Sequence, residues 1–220
     1  MTTITKNAYR GLKNLQSLNF RFNGINKIEE TAFTDLVSLI KLNFAYNEFT
    51  QLNASQFSGL INLNSLDLFE NQIVTIEENC FKDLNNLKSL FLHYNKIQLV
   101  EKEMFNHLTS LNLLDLSHNN IQIVSSRIFT NSPLQRLSLE LNSISFIGNN
   151  EFHDFKELNY LNLIGNRLNY VDPNFLQGSS AMKTLCLGRN LFPSNFSINT
   201  SELSSLNPSS IFGSSCPPIN

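Results

Sequence analysis

His93 and His118 stand 25 residues apart, and Asp67, Glu70, Asp115 and Glu140 fall around them at similar intervals. Two imidazoles beside carboxylates are a zinc-ligand set and equally the makings of general acid–base chemistry. The rest of the chain argues against both. No helix places two such ligands at i and i+4, and there is no Ser/His/Asp arrangement, glycine-rich phosphate loop or paired-cysteine motif. No catalytic or metal-binding role is expected, no cofactor is implied, and the six side chains are read as rim contacts of a protein-binding surface.

A 24-residue period positions them. From Leu15 the frame L-x-x-L-x-L-x-x-N-x-I restarts at Leu39, Leu63, Leu87, Leu111, Leu134, Leu158 and Met182. Its fourth and sixth places alternate as a half-buried strand does, with the fifth pointing outward. The ninth place is asparagine in all eight frames: Asn23, Asn47, Asn71, Asn95, Asn119, Asn142, Asn166 and Asn190. Asparagine makes up 33 of 220 residues, too few for an unbroken column of eight to be accidental. An amide there both donates to and accepts from backbone groups where the chain leaves the strand, so stacked units would form a buried structural ladder. A second column, Phe33, Phe57, Phe81, Phe105, Phe129 and Phe152, follows a branched aliphatic or leucine by five residues and reads as core on the opposite side.

This frame and period resemble the leucine-rich repeat, in the 24-residue form of extracellular receptors and matrix proteins: Toll-like receptors, Slit-type guidance proteins and the lymphocyte receptors of jawless fish. The resemblance spans about Ile4 to Phe192 and is shared by all these groups, so it singles out none of them. It implies an α/β repeat solenoid, a right-handed horseshoe with a parallel β-sheet on the concave side and irregular or short-helical segments on the convex side. Residues 1–192 form the solenoid, with a partial repeat over 1–14 followed by about eight full ones. Met1 opens inside a repeat, so the chain reads as a fragment or as one segment of a longer solenoid. Residues 193–220 hold nine serines, four prolines and one acidic residue, and are expected to be a degenerate cap followed by a disordered tail.

A solenoid makes surfaces and encloses no pocket, so function is sought on the concave face. Solvent normally selects polar residues at outward places. Here Phe22, Tyr46, Phe69, Phe91 and Tyr94 gather in the first four repeats, with Leu113, His93 and His118 beside them and Glu70 and Glu140 at the rim. Aromatics and histidine bordered by carboxylates have the composition of a protein-binding hot spot. The leading expectation is a non-catalytic recognition module, part of an extracellular receptor or adhesion ectodomain that binds a protein ligand and serves signal transduction. The alternatives are an intracellular, cytoplasmic scaffold, or a structural segment that self-associates through an uncapped N-terminal edge.

Charged residues are 15% of the chain, its net charge is −2, and no basic stripe is present, which disfavours nucleic acid. No apolar run reaches the roughly 18 residues of a membrane span. Asn53, Asn195 and Asn199 head glycosylation sequons. Cys80, Cys186 and Cys216 form no clustered cap pattern; the spacing of Cys186 and Cys216 does not by itself establish a bridge, and unpaired thiols are expected.

Overall fold

The computed structural model describes residues 2–101, 104–124, 133–148, 152, 155–172, 175–176, 179–194, 196, 211–213 and 215–219. Among these residues twelve short strands occur: β1 (Thr3–Ile4), β2 (Ser17–Asn19), β3 (Lys27–Ile28), β4 (Lys41–Asn43), β5 (Gln51–Leu52), β6 (Ser65–Asp67), β7 (Thr75–Ile76), β8 (Ser89–Phe91), β9 (Leu113–Asp115), β10 (Arg136–Ser138), β11 (Tyr160–Asn162) and β12 (Thr184–Cys186). Eight of them, one per repeat, form a parallel sheet in the order β12-β11-β10-β9-β8-β6-β4-β2. Two small parallel pairs, β1–β3 and β5–β7, and an Ile147–Val171 bridge run along the flank of the same turns, between the concave sheet and the convex returns.

The register follows from the frame. Fourth-place leucines pair across the sheet, Leu18 with Leu42, Leu42 with Leu66 and Leu66 with Leu90, each pointing inward. Leu114 pairs with Leu137 although that repeat is one residue short, so the deletion falls outside the sheet. First-, fourth- and sixth-place residues then stack into one continuous core.

Convex returns are turns, with nearly no helix among the described residues. Their aromatics pack into the core: Phe33, Phe57, Phe81, Phe105 and Phe152 are buried, and Phe57–Phe81–Phe105 stack at centroid separations of 5.9 and 6.1 Å. Phe129, His153, Asn195 and Asn199 lie outside the described residues. Cys80 is free and buried, and burial, with Glu77 adding, pushes its thiol pKa far above the ordinary value.

The asparagines connect successive turns. Asn95 Oδ1 accepts from the Ile73 N–H at 2.9 Å, while its Nδ2 donates to the carbonyls of Leu68 and Leu92, each at 3.0 Å. The same three bonds recur at Asn47, Asn71, Asn119, Asn142 and Asn166, all buried. Asn190 repeats them while only half-buried. Asn23 is exposed and bonds within its own turn, to the Phe20 and Arg21 carbonyls, because no described concave strand stacks in front of β2.

At the C-terminus the structure departs from the expectation of unpaired thiols. Cys186 and Cys216 form a disulfide, with Cα atoms 5.9 Å apart. Ile211 is buried, and its carbonyl accepts from the Leu187 N–H as a further turn of the solenoid would. Closing the last core edge removes apolar surface from water, which a serine-rich composition conceals.

Candidate functional site

Sheet strands that carry Asn or Asp at the fifth place hand the chain to the concave rim in one way. Position-five Asn or Asp side chains accept from the backbone N–H two residues on: Asn43 from Ala45 at 2.7 Å, Asp67 from Phe69 at 3.0 Å, Asp115 from Ser117 at 3.0 Å and Asn162 from Ile164 at 3.0 Å. The eighth residue then adopts a left-handed conformation, with φ of 62° at Phe22, 57° at Tyr46, 50° at Glu70, 54° at Tyr94 and 52° at His118. That conformation costs an L-residue about 1–2 kcal/mol. Backbone bonds to the neighbouring turn hold it, such as Tyr94 N–H to the Ser117 carbonyl at 3.0 Å and His118 N–H to the Glu140 carbonyl at 2.8 Å.

On this rim the aromatic residues form one unbroken chain of rings. Phe22 stacks on Tyr46 at 4.2 Å, Tyr46 meets Phe69 edge-on at 4.9 Å, and Phe69 stacks on His93 at 4.3 Å. Phe69 also meets Tyr94 edge-on at 5.5 Å, and Tyr94 stacks on His118 at 3.8 Å. The Arg21 guanidinium lies 5.0 Å from the Phe22 centroid and 4.5 Å from that of Tyr46, within cation–π range. Phe22 and Tyr94 keep 66% and 46% of their surface exposed, so mutual stacking leaves ring faces open to a partner. Phe91 is half-buried and touches His93 edge-on at 6.2 Å, and Leu113 is half-buried on β9.

The carboxylates prove less free than their outward places imply. Asp67 also accepts from Asn43 Nδ2 at 3.0 Å, Asp115 from Ser117 Oγ at 2.7 Å, and Glu140 from Asn162 Nδ2 at 2.8 Å. His93 Nδ1 is 3.6 Å from Asp115 Oδ2, close enough for an ion pair and too long for a hydrogen bond. Burial holds the His118 imidazole below its ordinary pKa, against Glu140 and Asp115, with His93 pushing the same way as burial. No group of three or more metal-ligating side chains exists among the described residues. Glu70 remains exposed between Tyr46 and Tyr94 in the eighth-place column.

Repeats six to eight carry a different arrangement. The chain after Ile211 turns back over the concave face, so Cys216 bonds to β12, the Tyr160 hydroxyl of β11 donates to the Pro217 carbonyl at 2.7 Å, and Arg136 Nη2 of β10 donates to the Pro218 carbonyl at 2.9 Å. Arg136 also sits 5.0 Å over the Tyr160 ring. Tyr160 and Cys186 are buried beneath this strap, although both occupy outward places. Burial raises the Tyr160 phenol pKa, opposed by its Asn162 hydrogen bond and by Arg136. Sequence reasoning passes over Tyr160 and Arg136 because the segment that covers them is distant in the chain; the pairing of an outward cysteine with one in the tail was the available signal.

Stacked strand-and-turn units with a side-chain-bearing concave sheet define a repeat solenoid. The leucine rich repeat family model matches residues 13–73, 41–97, 61–121, 85–133, 111–168 and 132–192, and the chain belongs to the leucine-rich repeat family. Among solved structures it is similar to Toll in the Drosophila Toll–Spatzle complex, with 23% identity and a TM-score of 0.80 over 86% of this chain and 27% of that one. It is also similar to TLR13 in a complex with ssRNA13, with 29% identity and a TM-score of 0.72 over 93% of this chain and 33% of that one. This chain thus spans about a quarter to a third of those chains. Comparison with curated protein sequences gives no significant match. Among the described residues no helix is long and apolar enough to cross a membrane.

Proposed function

We propose that this chain is a non-catalytic recognition segment of an extracellular receptor or adhesion ectodomain, binding a protein ligand through the concave ring array from Phe22 to His118. The observation that carries the reading is the continuity of that array across five turns with Phe22 and Tyr94 largely exposed. Rigid aromatics presented side by side give large contact area at little entropic cost, and Glu70 beside them favours ligands bearing lysine or arginine.

A protein ligand is favoured over nucleic acid although TLR13 was solved with RNA. Carboxylates at Asp67, Glu70, Asp115 and Glu140 line the same face, where phosphates would need cations. A disulfide favours an oxidising compartment over the cytoplasmic scaffold, and a glycan at Asn53 would sit away from the concave face. The test is a peptide display selection on the wild-type chain, followed by binding of the selected peptides to the Phe69→Ala/Tyr94→Ala double variant. Peptides rich in basic and apolar residues should lose at least tenfold in affinity on the double variant, with its melting temperature nearly unchanged. Equal binding to both proteins would refute the site.

A further inference from the structure

A second surface lies on the flank of the solenoid, between the concave rim and the convex returns. There the thirteenth residue of each repeat points outward and the fourteenth inward, as in β1, β3, β5 and β7. Reading the outward column through the stack gives Thr3, Lys27, Gln51 and Thr75, then Leu99, Ile123, Phe146 and Tyr170. The last four are 50%, 64%, 58% and 45% exposed. The first four are a control within the same molecule: the same place in the same fold accepts polar side chains, so the fold does not demand an apolar one. In those early turns the flank is an open polar groove of about 670 Å³ bordered by Lys27, Glu48, Gln51 and Gln72.

The geometry points to this stripe as a homodimer interface, in which Leu99, Ile123, Phe146 and Tyr170 of one copy pack on the same residues of a second. Two features single out a second copy as the occupant. The stripe has a cationic border at the tenth place, Lys96 and Arg167, and an anionic border at the fifteenth, Glu101 and Asp172. A two-fold axis parallel to the stripe lays each cationic border on the partner's anionic one at the same turn, whereas a two-fold across it would oppose like charges. The size also fits. Half-exposed aromatic and aliphatic side chains of up to ~200 Å² each give roughly 400 Å² of apolar surface, the size of the largest and often functional patch on a monomer. That is about half of the ~800 Å² per partner of a standard interface, so the charged borders must supply the rest. This surface is separate from the concave ring array and from the N-terminal edge of the sheet.

Sedimentation of the full chain decides it, at concentrations up to roughly 100 µM, where a micromolar dimer is mostly assembled. The wild type should dimerise, and Ile123→Gln/Phe146→Gln, which installs the residue that Gln51 already places in this column, should weaken the dimer at least tenfold with an unchanged circular dichroism melt. Lys96→Glu alone should also weaken it, and Lys96→Glu/Glu101→Lys should restore it. Phe69→Ala/Tyr94→Ala should dimerise like the wild type. A monomeric wild type overturns the inference, as does a dimer indifferent to the glutamine pair, which would place the contact elsewhere. Failure of the double charge reversal to restore association overturns the two-fold arrangement.

Discussion

Replacing Asn119 with alanine isolates one rung of the ladder, and the structure indicates which bond its loss leaves unmade. Asn119 Oδ1 accepts from the Ile97 N–H at 2.9 Å, and its Nδ2 donates to the Leu92 and Leu116 carbonyls, each at 3.0 Å. Those carbonyls are served twice: Leu92 also receives Asn95 Nδ2 at 3.0 Å, and Leu116 receives Asn142 Nδ2 at 3.0 Å. Alanine therefore orphans a single buried donor, the Ile97 N–H, at a cost of roughly 1–3 kcal/mol. Asn23→Ala removes an exposed amide whose Phe20 carbonyl keeps Asn47 Nδ2, so it should stay within about 0.5 kcal/mol of wild type. Asn119→Asp keeps the acceptor for Ile97 and sets a carboxylate against two carbonyls. Its penalty at neutral pH should exceed that of alanine and shrink on acidification, when the protonated acid can donate. Urea denaturation followed by far-ultraviolet circular dichroism measures all three. Equal costs at Asn119 and Asn23, or none at Asn119, would refute the rung-by-rung account.

Opening the disulfide with Cys216→Ser releases a constraint across a sequence separation of 30, worth about 3–4 kcal/mol by chain entropy. Hydrogen exchange should rise at Leu187, whose N–H bonds Ile211, while exchange in β2 to β6 stays fixed; unchanged exchange at Leu187 would mean that the strap holds without the bond. Because burial lowers the folded pKa of His118 from 6.5, the unfolded chain binds its proton more readily. The neutral ring's advantage is thus present above pH 6.5 and lost as pH falls through that value toward the lower folded pKa. The melting temperature of His118→Gln should therefore fall less than wild type's on acidification through this window, and parallel curves would remove His118 as the cause.

The period, the inward residues and the asparagine column were legible in the sequence because each repeat solves the same local problem. A strand buries two residues, turns out of the sheet, and must pair the backbone groups it exposes; Leu66, Leu68 and Asn71 state that solution, and Leu90, Leu92 and Asn95 restate it. The residues of the concave array were legible for the same reason, since the frame fixes which side chains face outward. Their joining into one ring chain was not, because stacking of Phe69 on His93 depends on the turn between strands, where eighth-place residues take positive φ.

The repeat frame by itself determined a solenoid core and a carboxylate-bearing, aromatic concave surface. Tertiary structure decided what no repeat contains: that a serine-rich end returns to pin Cys216 on β12 and bury Tyr160, and that Glu140 is held by Asn162. It also exposed four apolar side chains, from Leu99 to Tyr170, at a place where earlier turns carry polar ones. Local patterning determines what each turn buries within itself and against its neighbours. Contacts that join distant segments have no period to announce them, and only the folded chain places them.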